Sequence, residues 1–208
     1  MNSENTALLM IDIQNDFCPG GALAVADGDA VVPVTNRLQD HFPVRVLTQD
    51  WHPADHSSFA ANHLNTEPFS VMAMSYGDQV LWPNHCVQGS SGAQFHRNLV
   101  TETAHIVVRK GYNSTIDSYS AFFENDHKTK TGLAGLLNDL GIESVVLTGL
   151  AMDFCVCYTA LDAVDLGFGV TLVSDGCRAI DLDGSLDGAM KSMTDRGVTF
   201  ATSAELLA

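Results

Sequence analysis

Short apolar runs punctuate the chain, and between them apolar residues recur every three or four positions. Ala7–Ile13, Val44–Gln49, His105–Arg109, Ser144–Gly149, Gly169–Ser174 and Val198–Ala201 read as strands. Most are continuous stretches of Val, Ile and Leu, the pattern of strands covered on both faces. Helical spacing predicts helices over Ala30–His41, Leu133–Leu140, Cys155–Leu166 and Leu186–Arg196, with a short one over Ser203–Leu207. Gly141, Gly167 and Gly197 follow three of them, where a left-handed cap favours glycine. Pro33 falls in the first turn of its helix, where a missing N–H matters least. The alternation predicts an α/β fold: a doubly wound, mostly parallel six-stranded sheet with helices on both faces, joined by right-handed crossovers.

The rhythm fails from Asp50 to Ala104, some 55 residues with little periodicity. An unstructured loop of that length is foreign to a compact domain, so the segment is either a packed insert or functional. The chain has 208 residues, which favours a single domain over 1–208 with an irregular insert at about 51–104. Composition adds exclusions. With 10 Lys+Arg against 25 Asp+Glu the net charge is −15, which argues against nucleic-acid and anionic-membrane partners and for small neutral or cationic molecules. No run approaches the ~18 apolar residues of a membrane span. Met1–Leu9 carries Glu4 and no basic residue, unlike a secretory signal. The five cysteines (Cys18, Cys86, Cys155, Cys157, Cys177) contain no Cys-x-x-Cys pair, and reduced thiols in a cytoplasmic protein are the expectation. Assembly into a homo-oligomer stays open.

Ligands of open α/β sheets bind beyond the carboxyl ends of the strands. The first strand exits into Asp12, the third into Lys110, and the fourth runs through Leu150-Ala151-Met152-Asp153-Phe154 into Cys155 at the expected start of a helix. Taken singly these are a turn carboxylate, a surface amine and a small buried thiol. Taken together on one rim, they equip the chain for acyl transfer through a thioester. A helix N-terminus and a nearby ammonium would depress the thiol pKa. The carboxylate would take the thiol proton and return it to a leaving amine, and backbone N–H groups around Ala151 and Cys155 would receive an oxyanion.

The second strand exits into Asp50-Trp51-His52-Pro53-Ala54-Asp55-His56, and Trp82-Pro83-Asn84-His85-Cys86 follows within the insert. Asp50 and His52 project to one side of an extended segment. A carboxylate and two imidazoles with positions left open suit a catalytic Zn²⁺, Fe²⁺ or Mn²⁺ better than a closed structural site. Three of the eight histidines, His52, His56 and His63, crowd this region, while His41, His96, His105 and His127 carry no assignment. Phe17, Trp51, Trp82 and Tyr119 lie near the same features and would wall a flat, ring-binding pocket.

With those segments in view, the chain resembles the nicotinamidases of the isochorismatase-like cysteine hydrolases. The resemblance rests on Asp12-Ile13-Gln14-Asn15-Asp16-Phe17, Asp50-Trp51-His52-Pro53, Trp82-Pro83-Asn84-His85-Cys86, Arg109-Lys110-Gly111, Asp117-Ser118-Tyr119-Ser120-Ala121-Phe122 and Gly149-Leu150-Ala151-Met152-Asp153-Phe154-Cys155. It implies the isochorismatase-like hydrolase fold and hydrolysis of nicotinamide to nicotinate in NAD salvage, with pyrazinamide as a side substrate. Cys155 would be the nucleophile, Asp12 the proton shuttle and Lys110 their electrostatic partner. Asp50, His52 and His85 would hold one divalent cation, zinc foremost, with iron or manganese as alternatives. Phe17, Trp82 and Tyr119 would form the substrate walls, and Leu150–Ala151, where relatives carry a cis bond, would flank the oxyanion site. His56 resembles a fourth ligand of some relatives but stays outside the ligand set, and Cys157 reads as inert packing. Three rivals stand beside it: another hydrolase of the superfamily, such as an N-carbamoyl amidohydrolase or an isochorismatase; a hydrolase using zinc-bound hydroxide with Cys155 as bystander; and a non-catalytic metal- or nicotinamide-binding module, which would not need Asp12, Lys110 and Cys155 together.

Overall fold

The computed structural model describes residues 3–208. Its elements are β1 (Thr6–Ile11), α1 (Val31–Leu38), β2 (Val44–Asp50), β3 (Val71–Met74), β4 (Gly77–Val80), β5 (Ile106–Lys110), α2 (Leu133–Asp139), β6 (Ser144–Leu150), α3 (Cys157–Asp165), β7 (Gly169–Arg178), α4 (Ser185–Asp195), β8 (Thr199–Ala201) and α5 (Ser203–Leu206). Six strands form one sheet in the order β5-β2-β1-β6-β7-β8, with every neighbouring pair parallel. The connections β6→β7 and β7→β8 advance in one direction and β1→β2 in the other. Right-handed crossovers therefore put α3 and α4 on one face and α1 on the opposite one.

Every residue of β1 is buried, which is why that strand is a continuous apolar run. Burying each of Leu8, Leu9 and Ile11 contributes about 1.5–3 kcal/mol relative to an exposed side chain. At its exit β1 lies so close to β6 that a Cβ on Gly149, where φ is +121°, would stand 2.0 Å from the Ile11 carbonyl oxygen. Only glycine permits that approach, and it brings together the ends of the two strands between which the winding of the sheet reverses. The crevice of a doubly wound sheet opens at such a reversal.

The six expected strands are present with ends shifted by a residue or two, except β7. It runs on to Arg178 because a register shift in β6 between Leu147 and Gly149 re-pairs Gly149 with Cys177 and Leu150 with Arg178. Two helix expectations need correction. Ala30–His41 is α-helical only over Val31–Leu38 and finishes in a 3-10 turn, Gln39–His41. The α-helix expected to open at Cys155 begins at Cys157, preceded by a π-turn over Met152–Val156. The antiparallel pair β3–β4 was not foreseen. Val71-Met72-Ala73-Met74 is an apolar run of only four residues, half of it exposed, and the buried Gln79 ties the hairpin to Asp117 and Tyr119. Among the described residues, no helix is long and apolar enough to cross a membrane.

Candidate active site

Asp12 follows β1 in a left-handed conformation, φ +46°, that non-glycine residues seldom adopt. Lys110 ends β5 and stands in register with Asp50 at the end of β2. Cys155 lies in the π-turn after β6. The sheet thus delivers three distant positions to one spot. Lys110 Nζ is 2.8 Å from Asp12 Oδ2, 2.5 Å from Asp50 Oδ1, 2.9 Å from the Ser118 carbonyl oxygen and 3.4 Å from Cys155 Sγ. Thr48, a polar residue inside the apolar β2, donates to Asp12 Oδ1 at 2.6 Å and accepts from the Asp12 N–H at 3.1 Å.

The Lys110 side chain is fully buried, and a buried ammonium is tolerated only with counter-charges and satisfied donors. Burial disfavours its charge, but Asp12 and Asp50 together hold its pKa well above the ordinary lysine value. Burial raises Asp12 to about 6, with the charge of Asp50 adding and that of Lys110 opposing. Asp50 goes the other way: burial is outweighed by Lys110 and by His52, and its carboxyl stays far below the usual range. Burial also pushes the Cys155 thiol well above its ordinary value; Lys110 opposes this, while Asp12 and Asp50 reinforce it. The expected depressed thiol pKa is therefore corrected. Cys155 is enclosed beside two carboxylates and is not exposed at the first turn of an α-helix, so its surroundings favour the thiol, with the Asp12 carboxyl alongside.

Next to this cluster, ligand atoms of Asp50, His52 and His85 converge within 4.8 Å of one another. His52 Nε2 is 3.6 Å and His85 Nε2 3.9 Å from Asp50 Oδ2. His52 Nδ1 donates to the Gly111 carbonyl at 2.9 Å and His85 Nδ1 to the Pro83 carbonyl at 2.9 Å. Those bonds turn both Nε2 atoms inward, the usual orienting device of metal-bound histidines. Burial disfavours charge on His52, but the neighbouring Asp50 carboxylate raises its pKa, so ligation there is coupled to loss of a proton. Burial, with His52 adding, brings His85 down to about 4, which leaves it neutral and able to ligate. The donor set fits a divalent cation with open coordination positions. Gly111 makes room for the His52 ring, which a Cβ there would meet at 2.4 Å. His56 lies outside the triad. Its Nδ1 accepts the Ser58 N–H at 3.2 Å, and it converges instead with His52 and Asp117, their ligand atoms lying within 4.8 Å of one another.

A small cavity opens onto both clusters, lined among others by Asp50, His52, His85 and Cys155. All four positions expected at the substrate, Phe17, Trp82, Tyr119 and Ala151, line it too. The Leu150–Ala151 peptide is cis. Trp82 Nε1 donates to the Tyr119 hydroxyl at 3.1 Å, and the two rings meet Phe154 edge-on at 4.9 and 5.7 Å. Trp51, grouped with these aromatics in the sequence, is instead covered by Arg109, whose guanidinium lies 4.0 Å from its ring centroid, and does not reach the cavity.

The isochorismatase domain profile matches residues 6–205. The chain belongs to the isochorismatase family. Within that family it is 48% identical to a nicotinamidase of Acinetobacter baylyi over 205 residues, covering 99% of this chain and 96% of that one. An Acinetobacter baumanii nicotinamidase/pyrazinamidase structure superposes with a TM-score of 0.97 at 50% identity, covering 99% and 100% of the two chains. The L. infantum PnC1 structure, in complex with nicotinate, gives 0.86 at 40% identity, with 98% and 96% covered. A Pyrococcus horikoshii pyrazinamidase in complex with zinc gives 0.77 at 32% identity, with 95% and 99% covered.

Around this isochorismatase-family site stand residues that sequence reasoning left without a role. Asp117, Phe154, Leu23 and Ile180 line the cavity, and Thr48 holds Asp12. Asp117 and Phe154 sit inside segments already singled out. Thr48 carried a faint signal as a hydroxyl within a buried strand, whereas Leu23 and Ile180 carried none.

Proposed function

We propose that the chain hydrolyses nicotinamide to nicotinate and ammonia by thioester chemistry at Cys155, a step of NAD salvage, with pyrazinamide as a side substrate. The observation that carries this reading is the placement of Cys155 Sγ 3.4 Å from Lys110 Nζ, in an aromatic-walled cavity shared with the Asp50–His52–His85 triad. Residues 1–208 act as one catalytic domain, in which the insert at about 51–104 brings His52 and His85 to the sheet edge. Asp12 takes the thiol proton as Sγ adds to the carboxamide carbon. The N–H groups of Ala151 and Cys155 receive the oxyanion, and Lys110 balances the charge passing between sulfur and carboxylate. Asp12 then protonates departing ammonia, deprotonates the incoming water and returns its proton to sulfur as nicotinate leaves. Phe17, Trp82 and Tyr119 enclose the ring. Asp50, His52 and His85 hold the divalent cation, with zinc favoured by the zinc complex of the Pyrococcus horikoshii relative; when bound it supplies a Lewis-acid contact for the pyridine nitrogen.

The deciding experiment measures ammonia from the purified protein offered nicotinamide, pyrazinamide and benzamide, with and without chelator. Nicotinamide and pyrazinamide are turned over. Benzamide, which lacks the ring nitrogen, is handled poorly, and chelation weakens nicotinamide binding. Absence of ammonia from nicotinamide refutes the function, and equal nicotinamide affinity in chelated protein refutes the ring-nitrogen contact.

A pH dependence follows from Asp12. Its pKa of about 6 means that it accepts the thiol proton above that value and is protonated below it. On a log scale kcat/KM should be flat near neutrality and fall by about tenfold per unit below pH ~6. A rate that holds level down to pH ~4 would remove Asp12 as the base.

A further inference from the structure

The π-turn that carries Cys155 also carries a carboxylate for which the proposed reaction has no use. Asp153 is 4% exposed and points away from the sulfur toward the connection between β7 and α4. Its Oδ1 accepts the Ile180 N–H at 3.0 Å, and its Oδ2 accepts the Asp181 N–H at 2.7 Å and the Ser185 hydroxyl at 2.5 Å. Ser185 opens α4, so the carboxylate also faces the positive end of an 11-residue helix. The connection needs an anchor. Asp181 and Asp183 are left-handed at φ +56° and +51°, a conformation that costs non-glycine residues free energy unless the surroundings enforce it. Ile180, held by the first of these bonds, is an aliphatic wall of the substrate cavity.

We infer that Asp153 is a positioning residue that holds Ile180 against the cavity, and that Ile180 thereby sets how large a ring the site admits. This rests on the amide-hydrolysis reading above. Asparagine at 153 keeps the shape but turns an NH₂ group toward N–H and O–H donors that need an acceptor. The wall then loosens while the nucleophile, on the same turn, keeps its neighbours. Loss of a contact that acts on the ring in ground state and transition state alike raises KM and spares kcat, whereas a merely destabilised fold lowers the active fraction at constant KM.

The test compares the full-length wild type with Asp153→Asn, Ser185→Ala and Ile180→Ala, using nicotinamide and its ring-methylated forms. Asp153→Asn should raise KM for nicotinamide about tenfold, the scale of one charge-assisted hydrogen bond, with kcat within about threefold. Ser185→Ala should shift KM the same way by less. Ile180→Ala should improve kcat/KM for at least one methylated nicotinamide, relative to nicotinamide, by about tenfold, the worth of a methyl group in an apolar pocket. Alkylation of Cys155 by iodoacetamide and by the bulkier N-phenylmaleimide, located by mass spectrometry, reads the wall without any turnover. The bulky reagent should gain on the small one in Asp153→Asn and in Ile180→Ala. Unchanged KM in a folded Asp153→Asn, or unchanged substrate and reagent ratios in Ile180→Ala, overturns the inference. If Asp153→Asn does not fold, Ser185→Ala and Ile180→Ala decide it by the same measures. A wild type that releases no ammonia from nicotinamide overturns the functional reading, and the alkylation ratios then judge the wall by themselves.

Discussion

Cys155→Ala abolishes ammonia release, lowering kcat by roughly 10⁴-fold or more, the scale on which loss of a nucleophile acts in covalent hydrolases. The cation content of the variant is unchanged, because Asp50, His52 and His85 form a ligand set without the sulfur. The fold also persists. Cys155 is a small residue at the cavity edge, and trimming Sγ enlarges a space that is already open. The comparison therefore separates two chemistries: a thioester route stops, while a route in which the sulfur is a bystander continues. Measuring turnover beside metal content and the melting transition checks all three statements, and an active alanine variant would dispose of the thioester.

Lys110→Ala should cost the most in stability. The substitution strands two buried carboxylates, Asp12 and Asp50, that now share one ammonium at 2.8 and 2.5 Å. Removing one partner of a buried ion pair costs about 3–5 kcal/mol, since the remaining charge keeps its desolvation penalty without its compensation. For a chain of this size that lowers Tm by roughly 10 °C. The sign with pH is definite. Asp12, already raised to about 6, rises further without the ammonium, so the folded variant binds a proton more tightly than the unfolded chain does. Its stability deficit is therefore largest at neutral pH and shrinks as pH falls through the folded pKa. The acid limb of any residual activity moves upward for the same reason. Lys110 is also the group that favours the ionised form of Cys155, so iodoacetamide labels the variant more slowly at neutral pH. Scanning calorimetry at two pH values and a labelling time course test both halves; a deficit independent of pH would contradict the charge argument.

The sheet was legible because parallel strands buried on both faces leave continuous runs of Val, Ile and Leu, and the chemistry could be sought at their exits because α/β sheets bind ligands there. Asp12, Lys110 and Cys155 could thus be named from three exits, and the structure brings them within reach of one another. Surroundings were less legible than positions. The sign of the thiol shift was misread because a helix start can be seen in a sequence, whereas full enclosure beside Asp12 and Asp50 cannot. The β3–β4 hairpin escaped because its strands are only four residues each and its tie to the domain runs through a buried amide, Gln79. Ile180 escaped because its N–H is held by a single hydrogen bond to Asp153, 27 residues earlier.

Asp50 spends one oxygen on Lys110 and turns the other toward the two imidazoles. A descendant that gave up its cation could shed His52 and His85, yet position 50 would still owe the lysine a negative charge. The fossil of a vanished metal centre on this scaffold would be a lone aspartate at the end of β2, kept long after the reason for its second oxygen had gone.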